Sequence, residues 1–162
     1  MKIISHRGNL KGPNPLIEND PKQVEIVLNH KFDVEIDVWV LQDQKIFLGH
    51  DEPKIEIDLE WLIASKEHLW LHCKNVEALQ YFNELKQNFK FFFHHEDAYT
   101  LVSNGLIWVY PGATLARNSI YVLPENDRNP IGELQIPSDI YGVCTDFPME
   151  VAKELQIIPE KL

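Results

Sequence analysis

Seven short apolar runs recur along this chain, and each of the first four carries or is followed by histidine or charged side chains. The runs span residues 2–5, 34–40, 68–74, 90–95, 106–110, 119–123 and 140–145. The first is followed by His6-Arg7, the second carries Glu35 and Asp37, the third closes on His72 and Lys74, and the fourth on His94-His95-Glu96. Amphipathic segments separate the early runs, and this alternation favours an α/β architecture with a mostly parallel sheet. In a parallel barrel the C-terminal rim of the strands is where a site is built, because loops from several strands converge there. Unusual polar residues collected at strand ends, with interiors such as Phe91-Phe92-Phe93 left apolar, predict that arrangement.

Within Asp33-Val-Glu-Ile-Asp-Val-Trp-Val40, Glu35 and Asp37 are two apart, and strand side chains alternate faces with period two. Both carboxylates therefore point the same way. Val34, Ile36 and Val38 occupy the other face, so the strand is expected to be covered on both sides, where bare carboxylates are costly. A cation or a shared proton must relieve their repulsion, and a divalent ion is the simplest candidate.

Helices are expected where caps and apolar stripes coincide. Asn19 or Asp20 can cap a helix with Pro21 in its first turn, and Asp58 can open one around Leu59, Leu62 and Ile63. Val76, Leu79, Phe82 and Leu85 stripe a third. Asp97 to Asn104, closed by Gly105, reads as a short fourth, and Pro148 starts a last one ending near Gln156. Lys45 to Leu48 reads as an extra strand, in a hairpin with Val38 to Leu41 across Gln42-Asp43-Gln44. Only Pro111 to Asn118 separates two strand runs, fewer than the dozen or so residues of a helical crossover, so the architecture is abbreviated there. Pro124 to Pro137, with Asn126, Asp127, Asn129, Pro130 and Gly132, reads as a long loop.

The 162 residues, 44% of them hydrophobic, suit one domain spanning 1–162 with a buried core. A (β/α) barrel usually takes about 250 residues and seldom fewer than about 200, so a barrel of this length is a shortened one. A net charge of -10 with no basic run argues against a nucleic-acid partner. No apolar stretch approaches the roughly 18 residues that a membrane span needs, and the N-terminus lacks the pattern of a secretory signal. Cys73 and Cys144 lie inside apolar runs and read as buried free thiols, which fits the reducing cytoplasm. Oligomeric state is not legible.

The order His6-Arg7-Gly8, Glu18-Asn19, Glu35-Ile36-Asp37 and His50-Asp51 resembles the glycerophosphodiester phosphodiesterase family, within the PI-PLC-like phosphodiesterase superfamily. Leu69-Trp-Leu-His-Cys-Lys74 stands where that family has a strand ending E-x-K, and Tyr141-Gly-Val-Cys-Thr-Asp-Phe-Pro148 is similar to its last strand, G-V-x-T-D-x-P. The resemblance runs from residue 3 to residue 148. It implies an abbreviated TIM (β/α) barrel, Glu35 and Asp37 as metal ligands, and His6 and His50 as the acid/base pair. Arg7 and Lys74 become phosphate clamps, and the substrate a small glycerophosphodiester or a related polyol or sugar phosphodiester. His6 is taken as base and His50 as acid, with the reverse left open.

His72 stands where the family's third metal ligand, a glutamate, belongs. Resemblance implies Mg2+ or Ca2+, but imidazole is better suited to Mn2+ or Zn2+. Three other readings stay open: a sphingomyelinase-D-like phosphodiesterase, an inactive barrel that binds a phosphate ligand, and a carbohydrate lyase or hydrolase using Glu35 and Asp37 as acid and base. Around this core, Glu18 either orients Arg7 or supplies charge to a helix start, and Asp51 steadies His50 or caps a turn. His94 and His95, being adjacent in a strand, should face opposite ways, so that at most one enters the site. Trp108, Tyr110 and Tyr121 are expected to be packing residues, and Asp146 to close the barrel through hydrogen bonds.

Overall fold

The computed structural model describes residues 1–85, 87–127 and 135–157. Among these, ten strands join one sheet: β1 (Lys2–His6), β2 (Asp33–Val40), β3 (Ile46–Leu48), β4 (Ile55–Ile57), β5 (Leu69–Cys73), β6 (Lys90–Phe93), β7 (Tyr99–Leu101), β8 (Ile107–Val109), β9 (Ser119–Val122) and β10 (Gly142–Thr145). Seven run parallel in the order β6-β5-β2-β1-β10-β9-β8. Antiparallel β7 extends the β8 end, and antiparallel β3 and β4 branch from the far half of β2.

Helices α1 (Pro21–Asn29), α2 (Leu59–Ser65), α3 (Val76–Glu84) and α4 (Pro148–Glu154) form where caps and stripes predict them. Asp20, rather than Asn19, caps α1 by accepting from the Lys22 N–H at 2.8 Å, and Pro21 occupies a first-turn position whose N–H would be unpaired anyway. Asn75 caps α3 at Ala78 and grips both backbone groups of Val40. Asp58 precedes α2, yet its side chain makes no capping bond.

Period-two alternation sorts the strand residues into two cores. Val34, Ile36 and Val38 of β2, with Leu69, Leu71 and Cys73 of β5, pack against Val24, Val27, Ala78 and Phe82 of the helices. On the opposite face Ile4, Trp70, Phe92, Trp108, Ile120, Val122 and Cys144 form a second core without helices. Asp33 lies with this inner face near the N-terminal ends of the strands, where Lys2 (3.1 Å), His68 (3.0 Å) and Trp70 Nε1 (3.0 Å) surround its buried carboxylate.

Residues 97–104 are not a helix. They hold β7, which returns along β8 through a turn in which Val102 and Leu106 pair and Asn104-Gly105 occupies the bend. This segment also reaches the other end of the sheet: the Ser103 N–H donates to Phe91 O at 2.9 Å, and Thr100 Oγ1 to Phe93 O at 2.8 Å. Parallel β8 and β9 are joined with no helix between them, as the short spacing required. The expected loop from Pro124 opens with a single 3-10 turn over Pro124–Asn126, and Asn129, Pro130 and Gly132 lie outside the described residues.

Candidate active site

Sheet register brings the polar residues together. His6 of β1 is level with Glu35 of β2, and Asp37 of β2 is level with His72 of β5. Glu35 and Asp37 share the inner face as expected, and both are buried. His50 arrives differently, from the turn after β3. Gly49 N–H donates to Asp37 O at 3.2 Å and Trp39 Nε1 to Gly49 O at 2.6 Å, which fix the backbone just before His50. Gly49 is obligatory, since a Cβ there would collide with the carbonyl oxygen of Glu52.

One pocket of about 360 Å3 is lined by His6, Arg7, Glu35, His50, His72 and Lys74. Asp37 lies beneath them and ties them together. Its Oδ2 is 3.0 Å from Arg7 Nε, 2.9 Å from Asn19 Nδ2 and 3.3 Å from His50 Nδ1. Its Oδ1 is 3.0 Å from His72 Nδ1 and 3.5 Å from Lys74 Nζ, yet accepts no well-aligned hydrogen bond. Burial alone would raise the Asp37 pKa, but the adjoining His50 and His72 imidazoles and the Arg7 charge hold it well below the usual carboxylate range. Glu35 is pushed up instead, by burial and by the Asp37 charge.

His6 Nδ1 lies 2.7 Å from Asp146 Oδ1, which also accepts from Asn9 Nδ2 at 2.8 Å. Burial disfavours the imidazolium, but the Asp146 bond and the Glu35 charge outweigh it and raise the His6 pKa. Asp146 moves down, since the His6 and Asn9 bonds outweigh its burial. The other ring nitrogen, Nε2, is 4.0 Å from Glu35 Oε2. His50 is bracketed by cations, with Nε2 3.1 Å from Arg7 Nη2 and Nδ1 3.3 Å from Lys74 Nζ.

Glu18 Oε2 is 3.4 Å from Arg7 Nη1, so it orients that guanidinium. Asp51 approaches His50 at 3.6 Å but is almost wholly solvated. Asp146, expected to close the barrel through hydrogen bonds, anchors His6, and Glu125 fixes it in turn by accepting from its N–H at 2.8 Å. At most one of His94 and His95 is expected at the site if the strand continues through them, but β6 ends at Phe93, alternation lapses there, and both line the pocket. Trp108 is a buried packing residue whose edge reaches the pocket, and Tyr110 lines the pocket and stacks on His94. Asn9, Asn19 and Glu125 went unnoticed as site residues. Asn19 does carry a signal in its place beside Glu18, and its left-handed backbone (φ 60°) turns its amide to grip both Asp37 Oδ2 and the Asp37 N–H.

Glu35, Asp37 and His72 each offer a ligand atom, and all three atoms lie within 4.8 Å of one another. Asp37 Oδ1, buried without a proper donor, is what a cation would satisfy, so this donor set fits a divalent ion. No helix among the described residues is long and apolar enough to cross a membrane.

No protein-family model matches the chain, and no curated protein matches it either. Its fold is similar to that of a glycerophosphoryl diester phosphodiesterase from Parabacteroides distasonis ATCC 8503, seen in a crystal structure. The TM-score is 0.51 at 15% identity, over 99% of this chain and 88% of that chain. At that identity the likeness is one of fold.

Proposed function

We propose that this chain is a phosphodiester hydrolase built on an abbreviated (β/α) barrel, cutting small glycerophosphodiesters or related polyol and sugar phosphodiesters with a divalent metal. The observation that carries this reading is the convergence of two separately anchored histidines, two cations and a carboxylate-imidazole cluster on one pocket. Similarity of fold to a glycerophosphoryl diester phosphodiesterase supports it.

Glu35, Asp37 and His72 are the residues that would hold the metal, and a mixed oxygen and imidazole set suits Mn2+ or Zn2+ better than Mg2+ or Ca2+. Bound there, the ion would act as a Lewis acid toward a nonbridging phosphate oxygen. Arg7, held by Glu18 and Asp37, and Lys74 supply positive charge for the equatorial oxygens as negative charge builds on them.

Of the two proton orders that the sequence leaves open, the hydrogen bonding favours His6 as acid. Asp146 accepts the Nδ1 proton and favours the imidazolium, leaving Nε2–H to protonate the departing alkoxide. Arg7 Nη2 donates to His50 Nε2, which requires an unprotonated nitrogen, so His50 starts as the base. His50 takes the proton of the attacking hydroxyl as the new P–O bond forms and the old one breaks. By resemblance the nucleophile is a neighbouring hydroxyl of the substrate, with a cyclic phosphate as first product.

A second reading is favoured by one feature. Arg7 Nε at 3.0 Å and Lys74 Nζ at 3.5 Å already lie beside Asp37, as they would in a barrel that only binds a phosphate ligand. The two part on EDTA-sensitive release of alcohol from a glycerophosphodiester. Hydrolysis abolished by EDTA and restored by Mn2+ is expected. Tight diester binding with no alcohol released in any metal would replace hydrolysis by binding.

A further inference from the structure

The turn that carries His6 and Arg7 is strained, and one residue braces it. Arg7 and Gly8, its two central positions, both have left-handed φ (51° and 85°), a conformation that costs an arginine energy and that gathers at functional sites. Asn9 closes the turn. Its N–H donates to His6 O at 2.9 Å, and its carbonyl accepts from Ser5 Oγ at 2.6 Å. The Asn9 side chain is fully buried, and the Asn14 N–H donates to its Oδ1 at 3.1 Å, which sets the direction of the amide. Its two amide hydrogens go to two different carboxylates. Nδ2 donates to Asp146 Oδ1 at 2.8 Å, the carboxylate that holds His6, and to Glu18 Oε1 at 2.9 Å, the carboxylate that holds Arg7.

We propose that Asn9 is a positioning residue that locks the proton donor and the phosphate clamp into one unit. The proposal rests on the phosphodiester reading above and adds that His6 and Arg7 work from a shared support. Two carboxylates that crowd one nitrogen, at 2.8 and 2.9 Å, repel each other unless a donor lies between them. An amide gives one hydrogen to each and brings no charge of its own. A shift of Glu18 is therefore felt at Asp146, and the imidazole and the guanidinium keep their spacing across the phosphate. That spacing matters because a misplacement of about 1 Å can cost about 100-fold in rate. Asn9 does not line the pocket, so it acts through these two carboxylates and the turn alone.

The leaving group separates this role from plain support of the fold. Steady-state rates with Mn2+ are compared for glycerophosphoglycerol, whose alkoxide needs a proton to depart, and p-nitrophenyl glycerophosphate, whose nitrophenolate does not. Asn9→Ala should lower kcat about 100-fold on the first diester and far less on the second, because His6 loses its alignment. KM should rise on both, because Arg7 loosens. Glu18→Ala, which takes away the partner of the other amide hydrogen without touching Asp146, should also slow the alkyl diester more than the nitrophenyl one, and it covers the event that Asn9→Ala fails to fold. Equal factors lost on the two diesters in either folded variant, or no loss at all, would overturn the shared brace while leaving hydrolysis in place. Hydrolysis of neither diester by the native protein would overturn the phosphodiester reading and the brace with it.

Discussion

His6 and Asp146 show how much one contact controls. Asp146 raises the His6 pKa against the pull of burial, so Asp146→Asn should lower the His6 titration midpoint, read by the imidazole proton shift in NMR, and slow turnover. The linkage has a definite sign. His6, with its folded pKa raised, contributes stability that is fully present below the unfolded value of about 6.5 and is lost as pH rises through the folded value. Asp146, with its pKa lowered, contributes stability present above the unfolded value of about 3.9 and lost as pH falls through the folded one. Thermal melts of the native protein should therefore lose stability as the pH rises above about 6.5, and Asp146→Asn should flatten that fall. At this scale the polar residues of the pocket were legible because such side chains are rare in strands: His6, Glu35, Asp37 and His72 are brought together as the spacing implies. Their supports were not. Asn9, Asn19 and Glu125 are ordinary loop residues in sequence, and their roles come from contacts distant along the chain, as between Asn9 and Asp146 or Glu125 and Asp146, or from one left-handed turn.

Among the elements, β2 carries the division of labour: Val34, Ile36 and Val38 face the helices while Glu35 and Asp37 face the site. Ile36 is fully buried, so Ile36→Ala should cost about 2 to 5 kcal/mol in chemical denaturation, with Glu35, Asp37 and His72 untouched. Period two made this strand readable. The misreading of residues 97–104 has an equally local cause. Asp97 looks like a cap and Gly105 like a helix terminator, but Asn104-Gly105 is also the strongest short-range signal for a hairpin bend, and a three-residue strand has too little periodicity to outweigh it. Strand β4 escaped notice for the same reason, since Ile55-Glu56-Ile57 offers only one alternation.

Over the whole molecule, the sheet leaves no thiol at the surface. Cys73 and Cys144 are both fully buried, and burial pushes the Cys73 thiol up to about 12. Neither should react with iodoacetamide at pH 8 until the chain unfolds, and rapid labelling of the native protein at either position would contradict this packing. The seven parallel strands were legible as apolar runs, the first four of them at helix-separated spacing. The manner in which β7 links β8 to β6 was not, because it depends on bonds from Thr100 and Ser103 that no pattern encodes. The most direct test of the account follows a glycerophosphodiester by 31P NMR with Mn2+ removed before observation, comparing the native protein with His6→Ala and His50→Ala. The native protein should convert the diester to a cyclic phosphate or a monoester, and each variant should be about 100-fold slower or worse. Equal rates in all three proteins, or no conversion by any of them, would contradict the two-histidine phosphodiesterase.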